Sequence, residues 1–169
     1  MNQDNNESYH TPYNVDIYHL SNQDSIIRYI EHVLSLPESA INILFDPGVA
    51  DLVEENFGPR FNLTPEQKQE LTRVIRDILL ADLYFKKIPE TIQKKLQINE
   101  TTAKDITKEL LGTVLSSAWE DVKTIHDAKF GREENLPKPT LETPAVQNPE
   151  PPVANPNNVL DLRDKNKQN

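Results

Sequence analysis

Cysteine is absent from the 169 residues. Neither a disulfide nor thiolate chemistry is therefore available, and a metal site would have to be built from histidines and carboxylates. Glycine is almost absent too, with four in the whole chain. A glycine-rich phosphate loop or a dinucleotide-binding fingerprint needs several glycines at fixed spacing, and neither pattern occurs, nor does a G-x-S-x-G nucleophile turn. Aromatic residues make up 7% and hydrophobic residues 36%. That is below the globular norm and implies that part of the chain does not pack. No apolar run approaches the roughly 20 residues of a membrane span. The first residues, MNQDNNES, hold neither a basic stretch nor an apolar one, so they do not read as a secretory signal. The expectation is a soluble, cytoplasmic protein without a membrane segment.

Basic residues are scarce in the first third. Residues 1–60 hold two of them, Arg28 and Arg60, against ten acidic ones. Residues 61–132 hold twelve against eleven, and residues 133–169 four against six, for a net charge of −9. A nucleic acid would be repelled by the first part and met neutrally by the second, whereas basic partners fit the charge.

What is present is helical periodicity. Residues 1–12 are rich in Asn and Gln and read as a flexible start. Tyr13, Val15, Ile17, Tyr18 and Leu20 form a short apolar patch, either strand-like or a helical turn. Ser21 to Asp24 opens a helix with the stripe Ile26, Ile27, Tyr29, Ile30, Val33 and Leu34. Ser35 and Pro37-Glu38 mark a second start with a capping box, and Asp46-Pro47 a third that stops at Gly58-Pro59. The clearest local signal is Thr64-Pro65-Glu66-Gln67, a capped start with a reciprocal Gln67. The predicted helix runs through Leu71, Val74, Ile75, Ile78, Leu79 and Leu83 to Lys86 and Lys87, buried on more than one side. A second copy of the chain is one way to cover such a helix, which leaves a homo-oligomer open. Ile88-Pro89 begins a short helix with Ile92 and Leu96. Asn99 caps a long last one through Ala103, Ile106, Leu110, Val114, Ala118 and Val122, failing at Gly131. Gly112 within it costs about 1 kcal/mol relative to Ala and leaves room for a close neighbour.

After Glu133 the composition changes. Seven of thirteen prolines fall in 37 residues that hold no aromatic side chain. Such a segment buries too little to offset its ordering entropy, so a disordered tail is predicted from 132 to 169. The expectation is an all-α bundle of five to six helices over residues 13–131, followed by that tail.

Two segments stand out as candidate sites. Val159, Leu160, Leu162 and Arg163 form an apolar island at the end of the tail, the form in which many tethered motifs dock onto a partner. Residues 92–110 have helix-turn-helix spacing, which places Glu100, Thr101, Thr102, Lys104, Asp105 and Lys108 where a major groove would lie. That face holds two acids at its start and no Arg, which argues for a plain helical corner. The four histidines, His10, His19, His32 and His126, form no helical pair with metal-ligand spacing and read as surface residues. Glu54-Glu55, Glu120-Asp121 and Glu133-Glu134 read as solvated faces rather than acid–base pairs. No cofactor is expected, and no enzyme.

The run Leu52-Val53-Glu54-Glu55, then Phe61-Asn62-Leu63, then Gln67, Leu71, Ile75, Leu79, Ile92, Leu96, Ile98, Ala103 and Ile106 resembles a group of small helical proteins of candidate-phylum bacteria. Those proteins have no assigned function. The resemblance implies an all-α fold with a Pro-rich tail and brings no catalytic residue.

Overall fold

The computed structural model describes residues 10–17, 20 and 22–131. Among them the fold is all-α, with no strand. The tail expected from residue 132 and its island at 159–163 lie outside the described residues, as do Tyr18 and His19.

Helix α1 spans Gln23–Leu34 and is capped by Asn22, whose side chain accepts from the Ser25 amide at 2.8 Å. Helix α2 spans Glu38–Phe45. The expected Ser35 capping box is absent. Ser35 instead closes α1, its Oγ donating to the His32 carbonyl at 2.6 Å, and Pro37 precedes α2 with no side-chain cap. Helix α3 spans Pro47–Asp51 and is capped by Asp46, as expected.

The rod does not stop at Gly58-Pro59. It passes through a π turn, Leu52–Phe57, into α4, Gly58–Phe61. Pro59 has no N–H for the Glu55 carbonyl, and its ring crowds that carbonyl. The widened turn lets the Gly58 N–H reach back five residues to the Val53 carbonyl. A Cβ on Gly58 would lie 2.9 Å from Lys68 Cδ and 3.2 Å from the Val53 carbonyl, so a larger residue would make the Lys68 side chain shift. Asn62, in the left-handed region at φ 52°, ends the rod.

Helix α5, Pro65–Leu79, has the predicted reciprocal cap. Thr64 Oγ1 accepts from the Gln67 amide at 3.3 Å, and Gln67 Oε1 accepts from the Thr64 amide at 2.8 Å. Leu71, Val74, Ile75, Ile78 and Leu79 are fully buried, and α5 packs against α6, α2 and the π turn as the centre of the bundle. Each such side chain stabilises the fold by about 1.5–3 kcal/mol.

Two expected helices are each divided. α5 ends at Leu79 rather than Lys87. Ala81 turns left-handed at φ 54°, and the Asp77 carbonyl accepts from both Asp82 and Leu83. A short 3-10 turn at Phe85–Lys87 then leads into α6, Ile88–Leu96. Helix α7, capped by Asn99, spans Glu100–Thr113. It stops where hydroxyls compete for its carbonyls: Thr113 Oγ1 donates to Glu109 and Ser116 Oγ to Thr113. Gly112, the poorest helix former in α7, lies in this last turn and not in mid-helix. A 3-10 turn, Ser116–Ala118, redirects the chain into α8, Trp119–Phe130. Both breaks serve one contact: Phe85 meets Trp119 at 4.8 Å and the His126 ring at 3.9 Å between centroids.

The apolar patch before α1 is neither a strand nor a regular helix. Residues 11–17 form tight turns, with Val15 buried and the Tyr13 amide donating to the Leu44 carbonyl at 3.0 Å.

Candidate functional site

On α1, one residue only, Val33, is fully buried, although the helix carries six apolar side chains. Tyr29 turns toward the core and donates its hydroxyl to the Tyr13 carbonyl at 2.8 Å. Burial pushes the Tyr29 hydroxyl pKa up to about 12. The other side of the stripe is left to solvent: Ile27 is 45% exposed, Ile30 37% and Leu34 70%. Their spacing of three and four residues puts them on one face. Asp24 and Glu31, both exposed, stand three before and four after Ile27, with the exposed Arg28 between them, so the apolar face has a margin that is net acidic by one charge. Phe45, at the end of α2, is the further large exposed side chain in this part of the fold, and it stacks on Tyr13 at 4.1 Å.

The helical corner predicted at residues 92–110 forms. Gln97 adopts the left-handed region at φ 54°, Ile98 packs against the core, and Ala103 and Ile106 are buried. The residues named for nucleic acid are placed as follows. Thr101, Lys104 and Lys108 are exposed and Thr102 is half-buried. Lys104 pairs with Glu100 at 2.6 Å and Lys94 with Glu90 at 2.7 Å, so part of the positive charge at the corner is matched on its own helices. Val159, Leu160, Leu162 and Arg163 lie outside the described residues.

Three of the hollows on the surface of the described residues bear on these segments. One of about 160 Å³ lies between the π turn and α5, lined among others by His10, Glu54, Lys68, Gln69 and Thr72. Lys68 is bonded to Glu54 there, and the His10 ring meets the Gln69 amide at 3.3 Å. A wider one of about 540 Å³ is lined by Asn42, Phe45 and Ser117. The third, about 260 Å³, lies beside α1 and is lined by Asp16, Ile17, Leu20, Tyr29, Arg76, Leu80 and Asp82. Asp16 accepts from both Arg73 and Arg76. Burial raises its pKa, but the hydrogen bonds from Arg76 and Arg73 outweigh burial and hold the carboxyl below its ordinary value.

His126 corrects the reading of all four histidines as surface residues. Its side chain is completely buried, stacked on Phe85, with Nε2 2.7 Å from the Ile78 carbonyl. That distance makes Nε2 the protonated nitrogen, because a carbonyl only accepts. Burial lowers its pKa, against the raising effect of the Ile78 carbonyl. Nδ1 of His126, Nε1 of Trp119 and the Tyr84 hydroxyl are buried with no hydrogen-bond partner in the structure. Of the paired acids, Glu55, Glu120 and Asp121 are exposed and Glu54 is half-buried against Lys68.

Among the described residues no group of three or more His or acidic side chains converges in a way that could hold a metal ion. No helix among them is long and apolar enough to cross a membrane. Compared with protein-family models, curated proteins and solved structures, the chain matches none.

Proposed function

We propose that this chain is a non-enzymatic helical interaction protein that presents the α1 face and a tethered C-terminal motif to a protein partner. The observation that carries the reading is the exposed stripe Ile27, Ile30 and Leu34 on a helix whose opposite side is seated in the core. Leaving three aliphatic side chains in water forgoes their burial energy, and contiguous patches of this kind mark interaction sites. The acidic margin of α1 and the excess of acid in residues 1–60 favour a basic partner. A cytoplasmic location is part of the same proposal. So is the chain's membership among the small helical proteins of candidate-phylum bacteria, which adds no activity.

Affinity capture with mass spectrometry tests it on the full chain, on a chain lacking residues 133–169, and on Ile27→Asp/Leu34→Asp. These two positions are exposed, so the double variant should keep its melting temperature within about 2–4 °C, as surface changes do. Partners held by the full chain should be lost from both altered forms. Unchanged capture by the double variant would remove α1 from the reading, and unchanged capture by the truncation would remove the tail.

A second reading, nucleic-acid binding through Thr101, Thr102, Lys104 and Lys108, draws support from the helical corner at Gln97–Asn99. Its check is a duplex-DNA mobility shift at low salt, where the phosphate attraction is strongest. Absence of a shift there, or a shift unaltered by Lys104→Glu/Lys108→Glu, defeats it.

A further inference from the structure

The α1 stripe needs an occupant, and we propose that it is the chain's own C-terminal island, Val159, Leu160 and Leu162. This goes beyond the interaction reading above. It concerns a contact within one molecule, which a partner would have to displace.

Area narrows the choice first. The stripe alone presents a few hundred Å² at most, whereas each partner in a stable complex between separate molecules buries roughly 800 Å², so a separate partner would have to engage further surface as well. A second copy would also bring its own net charge of −9 against this one. A tethered segment escapes the first limit, because a short linker supplies an effective concentration in the millimolar range and a weak contact then suffices.

The point of departure favours the same occupant. The described chain ends at Gly131, just past α8. Lys129, two residues earlier, pairs with Asp82 at 2.8 Å. Asp82 lines the same 260 Å³ hollow as Tyr29 of α1. The chain therefore leaves the described bundle at the end of α8, tied through Lys129 to Asp82. Any chain of 28 residues, the number from 131 to 158, reaches about 30 Å as a random coil and at most about 90 Å when extended. Both exceed the roughly 14 Å radius of gyration of a domain this size.

Charge is complementary as well. Arg163, Lys165 and Lys167 follow the island and outnumber Asp161 and Asp164, so residues 159–167 are net positive. The stripe is flanked by Asp24 and Glu31 with Arg28 between them, a margin that is net acidic by one charge, in a third of the chain with ten acids and two basic residues. Docked on α1, the leucines cover Ile27, Ile30 and Leu34, and the basic residues lie along the acidic margin.

The lack of cysteine allows a direct test on the full chain. Asn157→Cys creates a single thiol for a nitroxide label, and the methyl resonances of Ile27, Ile30 and Leu34 are read with the label oxidised and reduced. The expected result is at least a twofold loss of intensity at these methyls, abolished when Leu160→Asp and Leu162→Asp are added. Full intensity with the oxidised label overturns the proposal. So does broadening that survives the two substitutions, which would report nearness without docking. A mixture of isotope-labelled chain and spin-labelled, isotope-free chain should show no broadening. Broadening there would overturn it in favour of a second copy. Partner capture is read separately, so either result can fail without the other.

Discussion

At the scale of single residues, His126 governs how the fold responds to acid. Its ring is sealed between Phe85 and Phe130, and burial opposes its charged form. In the unfolded chain the imidazole titrates near pH 6.5. The folded chain binds that proton less readily, so this contribution to stability is complete above about pH 6.5 and declines as pH falls below it. Denaturant unfolding at pH 7.5 and 5.5 should show the decline. His126→Phe should flatten this part of the pH dependence while costing about 0.5–1.5 kcal/mol at pH 7.5, because the Ile78 carbonyl loses one donor and keeps the Ala81 amide at 3.0 Å. A pH profile unchanged in the variant would assign the decline to other groups. The burial of His126 was not legible in the sequence. A histidine flanked by Ile125 and Asp127 on an amphipathic helix has no local mark of its depth, and what buries it is Phe85, 41 positions away.

At the scale of elements, capping was legible and interruption was not. Thr64, Asp46 and Asn99 each cap the helix that their sequence announced, because a cap is made within four residues. The breaks after Leu79 and Thr113 bring Phe85 to Trp119 and His126, a contact that periodicity does not encode. The α1 stripe was visible as a stripe, yet its half-exposure is set by tertiary packing, which Val33 and Tyr29 enter and Ile27, Ile30 and Leu34 do not. Gln67 links the two levels. Besides its part in the cap, its Nε2 donates to the Leu96 carbonyl at 2.6 Å, which fastens the start of α5 to the end of α6. Thr64→Ala should cost about 1 kcal/mol, the usual loss of a cap. Gln67→Ala should cost more, because the end of α6 loses a donor as well. Equal losses in thermal unfolding would mean that the bond to Leu96 adds nothing.

At the scale of the molecule, the turns at 11–17 are fastened to α5 from outside. Asp16 bonds Arg73 at 2.9 Å and also Arg76, which in turn holds Asp77, and Lys95 of α6 reaches Asp77 at 3.2 Å. Nothing in the sequence singled out Asp16, since its partners lie 57 and 60 residues on. Asp16→Asn should cost on the order of 1 kcal/mol, as partly exposed ion pairs do. It should speed amide exchange at Tyr13 and Val15 while leaving the centre of α5 protected. Equal acceleration in α5 would show that the turns are part of the global unit. The charge distribution, by contrast, could be read directly, and the acidic first third reappears as the margin of α1.

The π turn at Leu52–Phe57 has a consequence for what this chain can tolerate. A π turn holds one residue more than an α turn over nearly the same rotation. Deleting the exposed Glu55 or Asn56 therefore lets the turn close to an ordinary α turn with Phe57 still on the core side. The shortened rod loses its room for Pro59, which would then stand in an unbroken α ladder with no N–H to give it. The extra residue is what lets a proline sit inside the rod.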